Sequence, residues 1–241
     1  MTSDPQVPAQ HGRTLTEQVM DYVRSAVISG ELKTDTLYSV YQLADRLKIS
    51  RSPVRDGLLR LEEAGLIEFA RNRGFRIIPT QPKDVAEIFS LRLALEVPAA
   101  FRAAQACTPQ IAAQLNEIVG GLSRCAEAEL TEEFFDLDQQ LHDFILEVAQ
   151  SNRGRNIVNR LRVATRLLGV STAGKQRTLS DIMVEHEPII TAISSGNAPA
   201  AALAMRQHLV ATGKLLLAQA VQGQGLDLDP ENLWTELTAG Y

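Results

Sequence analysis

The fold of the N-terminal part is decided by residues 43–79, which read LADRLKISRSPVRDGLLRLEEAGLIEFARNRGFRIIP. Apolar residues at helical spacing predict one helix that ends near Leu47 and a second that opens at Ser50. The segments IEFA and FRII then flank RNRG at 71–74, which predicts a hairpin because glycine suits the left-handed position of its turn. With a capped helix that begins after Thr14, this pattern predicts a winged helix-turn-helix with a small β-hairpin over residues 14–80.

The helix that opens at Ser50 has the side chains of a DNA-reading helix. Two arginines four residues apart share one of its faces, opposite its apolar positions. Arginine makes bidentate contacts to guanine in the major groove, and serine can bond a phosphate, while a basic wing suits the DNA backbone or minor groove. Ordinary packing of three helices produces a similar pattern, so both interpretations remain open at this point. The candidate DNA-contacting residues are Ser50, Arg51, Ser52, Arg55, Arg73 and Gly74.

Charge is distributed unevenly along the chain. The 241 residues carry a net charge of −5, yet residues 46–76 hold eight basic and four acidic side chains, a net of +4. A local basic patch attracts phosphates whatever the total charge is, although a solvated charged surface would give the same count. The acidic total therefore does not exclude a nucleic-acid partner, but indicates that only one end of the chain meets it.

From residue 83 to 222 the apolar period is helical throughout, without strand alternation. Helices are expected near 83–105, 109–126, 130–150, 153–170, 178–195 and 199–222, with Pro98 kinking or interrupting the first. The sequence therefore predicts a mostly α-helical protein: a flexible arm over 1–13, the DNA-binding domain over 14–80, an all-helical bundle over 83–222, and a tail over 223–241. The tail is expected to be loose, with a short helix around Trp234 as the alternative. Such a bundle could hold a pocket between its helices.

Other features narrow the class of protein. Cys107 and Cys125 form no CxxC pair and cannot staple a chain of this size, which favours a reducing cytoplasm. No apolar run is long enough for a membrane-spanning helix, and the first residues do not form a secretory signal. No HExxH, GxSxG or P-loop pattern occurs, so a metal-dependent hydrolase in the helical domain is the alternative class rather than the preferred one.

Three histidines and one aspartate have the spacing of a metal site. Asp138 and His142 lie four residues apart on one predicted helix, while His186 and His208 fall on two later helices. One carboxylate and three imidazoles from three helices would suit a divalent transition metal. A surface Asp–His pair and hydrogen-bonded core histidines would show the same spacing. The residues alone leave these alternatives open.

The run over 43–79 resembles the N-terminal domain of GntR-family transcriptional regulators, whose pattern is roughly LAxxLxVSRxPVRxALxxLxxxGLV followed by a wing. The resemblance implies that Arg51 and Arg55 touch operator DNA, assisted by Ser50, Ser52 and the wing residues.

Three departures from the GntR pattern put the fine base preference in doubt, but not DNA binding. Tyr41 stands where many members carry an arginine, and Thr34-Asp35 replaces a usual Pro-Gly turn. Gly57 replaces a usual alanine, at a cost to the helix of about 0.5–1 kcal/mol unless close packing needs it.

Three later segments, RLALEVPAAFRAA from Arg92, DQQLHDFILEVAQSN from Asp138 and EHEPIITAISSGNAPAAALAMRQHL from residue 185, resemble the helical FCD effector domain of the FadR subfamily. The resemblance implies that a divalent transition metal is held in a pocket and that a small carboxylate completes its shell. Zinc is the expected metal, with nickel or manganese as alternatives, and the metal could instead only brace the helices. Arg92 matches an arginine that lines this pocket in many relatives; the alternative is a surface arginine paired with Glu96. The implied metal ligands are Asp138, His142, His186 and His208.

The sequence thus predicts a homodimeric, metabolite-responsive transcriptional regulator, a repressor rather than an activator. Its expected partners are double-stranded operator DNA with a short palindrome, a carboxylate effector and a second copy of the chain, without a membrane.

Overall fold

The computed structural model describes residues 14–34, 36–71, 73–79, 81–167 and 177–240. The expected arm over 1–13 and the last three residues of the helix expected near 153–170 lie outside the described residues. Contacts divide the chain into two compact units, with the division between residues 80 and 81.

The N-terminal unit has the winged helix-turn-helix fold expected from the sequence. Its first helix begins with a capping box in which Thr14 Oγ1 accepts from the backbone N–H of Glu17 and the Glu17 carboxylate accepts from that of Thr14. Lys48 ends the second helix in the left-handed conformation, with φ of 55°. The elements are α1 Leu15–Ile28, β1 Leu37–Tyr38, α2 Val40–Leu47, α3 Arg51–Glu63, β2 Ile67–Ala70 and β3 Gly74–Ile77.

The core of this unit lies between α1 and α3. Val54, Leu58 and Leu61 of α3 are fully buried, as the spacing predicts. A Cβ on Gly57 would lie 2.9 Å from the Val19 side chain and 3.0 Å from the nearest carbonyl oxygen of α1. Close helix packing therefore explains why glycine stands where a better helix former is usual.

The sheet has one more strand than the expected hairpin. Strands β2 and β3 pair antiparallel, and β1 adds to the other side of β3, giving the order β1-β3-β2. Gly74 has φ of 120°, and a Cβ there would lie 1.9 Å from the carbonyl oxygen of Tyr38. The wing therefore needs glycine both for its backbone conformation and for the approach of β1.

The C-terminal unit is entirely helical in its described residues, as expected. Its first helix runs through Pro98 without a break, so this proline does not interrupt it. None of the described helices combines the length and apolarity that a membrane span requires. The helices are α4 Pro82–Gln105, α5 Pro109–Glu127, α6 Thr131–Val148, α7 Asn152–Leu167, α8 Leu179–Ser194, α9 Ala198–Gln224 and α10 Pro230–Thr238.

The expected loose tail is instead partly a packed helix. Trp234 on α10 is only 5% exposed, and its ring centroid lies 6.2 Å from that of Phe89 on α4. A Cβ on Gly213 of α9 would lie 2.4 Å from the same indole, so glycine makes room for it. The alternative expected from the sequence, a short helix around Trp234, is the one observed, and its single large apolar residue anchors it.

Candidate functional site

The N-terminal unit presents the predicted DNA-contacting side chains at its surface. The first residues of α3, from Ser50 to Ser52, and Arg55 one turn later are exposed, opposite the buried apolar face. Ser50 is the N-cap of α3, but its hydroxyl makes no capping hydrogen bond. Arg73 is exposed beside the half-buried Gly74 at the start of β3. Two hydroxyl groups and three guanidinium groups are thus exposed on this surface.

The basic patch is smaller than the charge count suggests. Arg46 pairs with Glu31 and also donates to the hydroxyl of Tyr22 at 2.9 Å, which ties α2 to the end of α1. Arg51, Arg55 and Arg73, in contrast, form no ion pair with any residue in the described parts of the chain. The unpaired part of the patch therefore coincides with α3 and the wing.

The C-terminal unit brings three of the predicted metal ligands together. His142 on α6, His186 on α8 and His208 on α9 are all buried, and each offers one ring nitrogen within 4.8 Å of those of the other two. The ring centroids of His186 and His208 are 4.4 Å apart. Three imidazoles in this arrangement could hold a metal ion.

The tautomer of His142 follows from its hydrogen bond. Its Nδ1 contacts the carboxylate of Glu96 on α4, and a carboxylate only accepts, so Nδ1 is the donor. The Nε2 atom then carries the lone pair, and it is buried without a hydrogen-bond partner. A histidine held by a carboxylate in this way is oriented as a metal ligand.

His186 is oriented by backbone and faces the fourth predicted ligand. Its Nδ1 donates to the carbonyl oxygen of Ile182 at 2.8 Å, one turn earlier on α8. Its Nε2 is 3.0 Å from Oδ1 of Asp138 but lacks the geometry of a hydrogen bond. Oδ1 of Asp138 also lies 3.9 Å from Nε2 of His142. Two acceptor atoms at 3.0 Å repel each other, and either a proton or a metal ion between them would relieve the repulsion.

Asp138 has a second partner that the sequence analysis missed. Its Oδ2 accepts from Nη2 of Arg162 on α7. Burial alone would raise the pKa of Asp138, but the guanidinium of Arg162 and the imidazole of His186 outweigh it, and the pKa lies well below its usual range. Asp138 is therefore a carboxylate in the folded protein.

The third histidine has a more exposed carboxylate beside it. Nδ1 of His208 lies 3.4 Å from Oε2 of Glu185. Glu185 accepts two hydrogen bonds from Arg177, of 2.5 and 2.6 Å, and Nη2 of Arg177 is 3.4 Å from the hydroxyl of Thr212. This part of the cluster thus joins α8 to α9 through one arginine.

Two of the histidines are held in the neutral form that a metal ligand needs. Burial lowers the pKa of His142 to about 4, only partly offset by the carboxylate of Glu96. Burial and the neighbouring His186 lower the pKa of His208 to about 3. At neutral pH both rings therefore present a lone pair rather than a charge.

Arg92 is not the surface arginine that one interpretation of the sequence expected. It does pair with Glu96, through a hydrogen bond of 2.6 Å from Nε, but the pair is buried rather than on the surface. Nη2 of Arg92 is buried without a partner. Burial lowers the pKa of Arg92, while Glu96 opposes the change. Arg92 is thus linked to the histidine cluster through Glu96 and His142, with one donor group unused.

Only tertiary contacts identify Arg162, Arg177 and Glu96 as parts of the cluster. The sequence holds one weak signal, because Arg162 lies four residues after the buried Val158 and so shares the apolar face of α7. An arginine on an apolar stripe indicates a buried anionic partner. The other two residues carry no such signal.

Two protein-family models match the chain. The model for bacterial regulatory proteins of the gntR family matches residues 15–77, and the model for the FCD domain matches residues 87–211. The FCD match alone covers just over half of the 241 residues. These are families of transcriptional regulators and not of enzymes.

Several curated relatives match over most of their length. An uncharacterized HTH-type transcriptional regulator in an unstable DNA locus of Streptomyces ambofaciens is 28% identical over 202 residues, 83% of this chain and 84% of the relative. The HTH-type transcriptional regulator LutR of Bacillus subtilis is 28% identical over 203 residues, 75% of this chain and 91% of the relative. The HTH-type transcriptional repressor RspR of Escherichia coli is 23% identical over 195 residues, 81% and 86% of the two chains.

Solved structures share the fold. Escherichia coli McbR/YncC superposes with a TM-score of 0.67 at 20% identity, covering 86% of this chain and 99% of that one. A GntR regulator from Rhodococcus gives a TM-score of 0.63 at 20% identity, with 84% and 97% covered.

Proposed function

The chain belongs to the GntR family of bacterial regulatory proteins, as a member with a C-terminal FCD domain, and on that premise we propose how its DNA binding is controlled. It is a homodimeric repressor of the bacterial cytoplasm whose affinity for a short palindromic operator depends on a small carboxylate. The carboxylate binds at a metal-containing pocket of the helical unit, within the effector domain that spans 83–222.

The observation that carries this proposal is the set of ring nitrogens in the buried histidine cluster. Nε2 of His142, Nε2 of His186 and Nδ1 of His208 are buried without hydrogen-bond partners. A buried polar atom without a partner costs free energy, so a site that keeps three of them is built for a ligand that the protein alone does not supply. Asp138, whose Oδ1 faces two of these rings, is the proposed fourth ligand.

The donor set suits zinc, with nickel or manganese as alternatives. Zinc prefers three or four nitrogen and oxygen ligands, and imidazole also suits nickel. A divalent cation bound here would supply positive charge and a coordination position for a carboxylate oxygen. The chain's own residues hold the rings in the right tautomer and exclude water from them.

Three arginines around the cluster support an acidic effector. Nη2 of Arg92, Nε of Arg162 and Nε of Arg177 are buried N–H groups without a hydrogen-bond partner. Each of these side chains already contacts a carboxylate with its other nitrogens. A bound carboxylate could accept from the remaining donors, and Arg92 is the proposed ligand-binding residue.

The proposed DNA contacts are of two kinds, contacts to base edges and contacts to the DNA backbone. Arg51 and Arg55 read base edges in the major groove, because they project from the first turns of α3. Ser50 and Ser52 bond phosphates, and Arg73 with Gly74 brings the wing to the DNA backbone. The proposed repressor role is supported by similarity to RspR of Escherichia coli, a transcriptional repressor.

Helix α4 supplies the physical link between effector and operator. It begins at Pro82, shortly after β3 ends at Ile77, and it carries both Arg92 and Glu96. A ligand that prefers one arrangement of α4 therefore biases the spacing of the two DNA-reading helices in a dimer. The change in the free energy of operator binding cannot exceed the difference in the free energy of ligand binding between the two arrangements.

Metal content tests the site directly. Protein equilibrated with zinc and then passed over a desalting column is expected to hold one metal ion per chain by elemental analysis. His186→Ala is expected to lose it, while His11→Ala, which removes the fourth histidine of the chain and lies outside the described residues, is expected to keep it. Wild-type protein without stoichiometric metal would overturn the metal part of the proposal.

Chelation distinguishes a ligand-binding metal from one that only braces the helices. The melting temperature of zinc-loaded and chelated protein is measured with a panel of small mono-, di- and tricarboxylates. In the proposed function a carboxylate stabilises only the metal-loaded form. A carboxylate that stabilises both forms equally would show that the metal does not bind the carboxylate and only braces the helices.

A further inference from the structure

Tyr41 on α2 lies against the first residue of the DNA-reading helix. The guanidinium carbon of Arg51 is 3.3 Å from the centroid of the Tyr41 ring. Tyr41 is 61% exposed, more than any other large hydrophobic side chain of the described residues. Its ring is therefore not part of the core, and its described contact is with a side chain proposed to read DNA.

The position of Tyr41 relative to α3 is fixed by α2. Ser39 is the N-cap of α2, and its hydroxyl accepts from the backbone N–H of Tyr41 at 3.2 Å. Leu43 and Ala44, on the next turn, are buried in the core of the N-terminal unit. The aromatic ring therefore projects from an anchored helix rather than from a loop.

We infer that Tyr41 is a positioning residue that holds the guanidinium of Arg51 for base recognition. Stacking engages the flat face of a guanidinium and leaves its N–H donors at the edge free for a guanine. An arginine that is already ordered also loses less side-chain entropy when it binds. The inference rests on the proposed role of Arg51, and it assigns Tyr41 a part in base preference without a base contact of its own.

The test uses the full-length chain and a duplex selected by the wild-type protein from a randomised library. Loss of an exposed stacking contact predicts that Tyr41→Ala weakens binding about three- to fivefold. The variant is expected to lose base preference mainly at the one base pair in each half-site that Arg51 reads. Tyr41→Phe, which keeps the ring, is expected to bind like wild type.

A double-mutant cycle separates positioning from direct contact. In an Arg51→Ala background, Tyr41→Ala is expected to have no further effect. An equal loss in both backgrounds would mean that Tyr41 touches the DNA itself and would overturn the inference. If Arg51→Ala weakens binding but Tyr41→Ala does not, the inference alone fails. If Arg51→Ala leaves affinity unchanged, the proposed reading role of Arg51 fails first.

Discussion

Arginines of the two units share a charge but differ in burial. Arg51 and Arg55 of the N-terminal unit are exposed and have no ion-pair partner among the described residues. Arg92 and Arg162 of the helical unit are 3% and 9% exposed, and each pairs with a buried carboxylate. Burial thus separates the arginines proposed to contact DNA from those that lie around the histidine cluster. The comparison can be tested by changing one member of each group.

The largest effect is expected from breaking a buried pair. Arg162→Ala leaves the Asp138 carboxylate buried without its cation, and loss of one partner of a buried ion pair costs about 3–5 kcal/mol of unfolding free energy. Urea unfolding of metal-free protein, followed by the fluorescence of Trp234, the sole tryptophan, measures this. Arg153→Ala, an exposed position on the same helix, is the matched control. Equal stability of the two variants would show that the buried pair is not a structural element.

The next effect is a loss of stability of the metal-free helical unit in acid. The pKa of His142 is lowered from 6.5 to about 4 in the folded protein, so the folded state disfavours its protonation. The neutral ring of His142 therefore contributes to the free energy of unfolding above pH 6.5, and this contribution is lost as the pH falls from 6.5 through about 4. The contribution of His208 is lost as the pH falls through about 3. For His142 it amounts to about 3 kcal/mol.

Urea unfolding of chelated protein at a series of pH values, read by Trp234 fluorescence, checks this acid sensitivity. His142→Gln, which cannot titrate, is expected to flatten the curve between pH 6.5 and 4. A wild-type curve that is already flat in this window would contradict the neutral, buried state of the ring.

A smaller effect on binding, and none on stability, is expected at the exposed arginines. Arg55→Ala should cost about 1–3 kcal/mol of specific DNA binding, because a bidentate base contact is lost. The melting temperature should stay that of the wild type, since Arg55 has no partner among the described residues. Arg60→Ala, exposed on the last turn of α3, is the control with the same change in charge. Equal losses of DNA affinity in the Arg55 and Arg60 variants would contradict base reading by Arg55.

The smallest effect concerns the packing that stabilises the N-terminal unit. Gly57→Ala forces a Cβ to within 2.9 Å of Val19, so a net destabilisation of about 1 kcal/mol is expected despite the better helix propensity. Gly223→Ala on α9, where a Cβ meets nothing within 4 Å, should instead stabilise its helix slightly. Thermal unfolding compares the two variants. A stabilised Gly57→Ala protein would mean that α1 and α3 tolerate a wider separation.

The sequence predicts the helices well because their apolar period is long and regular. The expected helix near 109–126, for example, is observed as Pro109–Glu127. Strand β1 was not predicted, since two residues cannot show an alternation. A short helix around Trp234 was only an alternative to a loose tail, because its packing against Phe89 and Gly213, which are far away in the sequence, cannot be read from the segment itself.

The candidate site shows the same limit. Spacing places Asp138 and His142 on one face of a helix and His186 and His208 on two later helices, and the resemblance to the FCD domain favours a shared metal site over separate side chains. The pairing of Asp138 with Arg162, and of Glu96 with His142, depends on how the three helices α4, α6 and α7 pack. No single segment of the sequence carries that information.

In the proposed function, a small carboxylate bound in the helical unit controls DNA binding by the other unit. The most direct measurement is the Kd of zinc-loaded, full-length protein for its selected duplex, with and without a saturating concentration of the carboxylate that stabilises it best. We predict a weaker Kd with the carboxylate, and no change for the His186→Ala variant. An unchanged Kd for the wild-type protein at saturation would contradict the account.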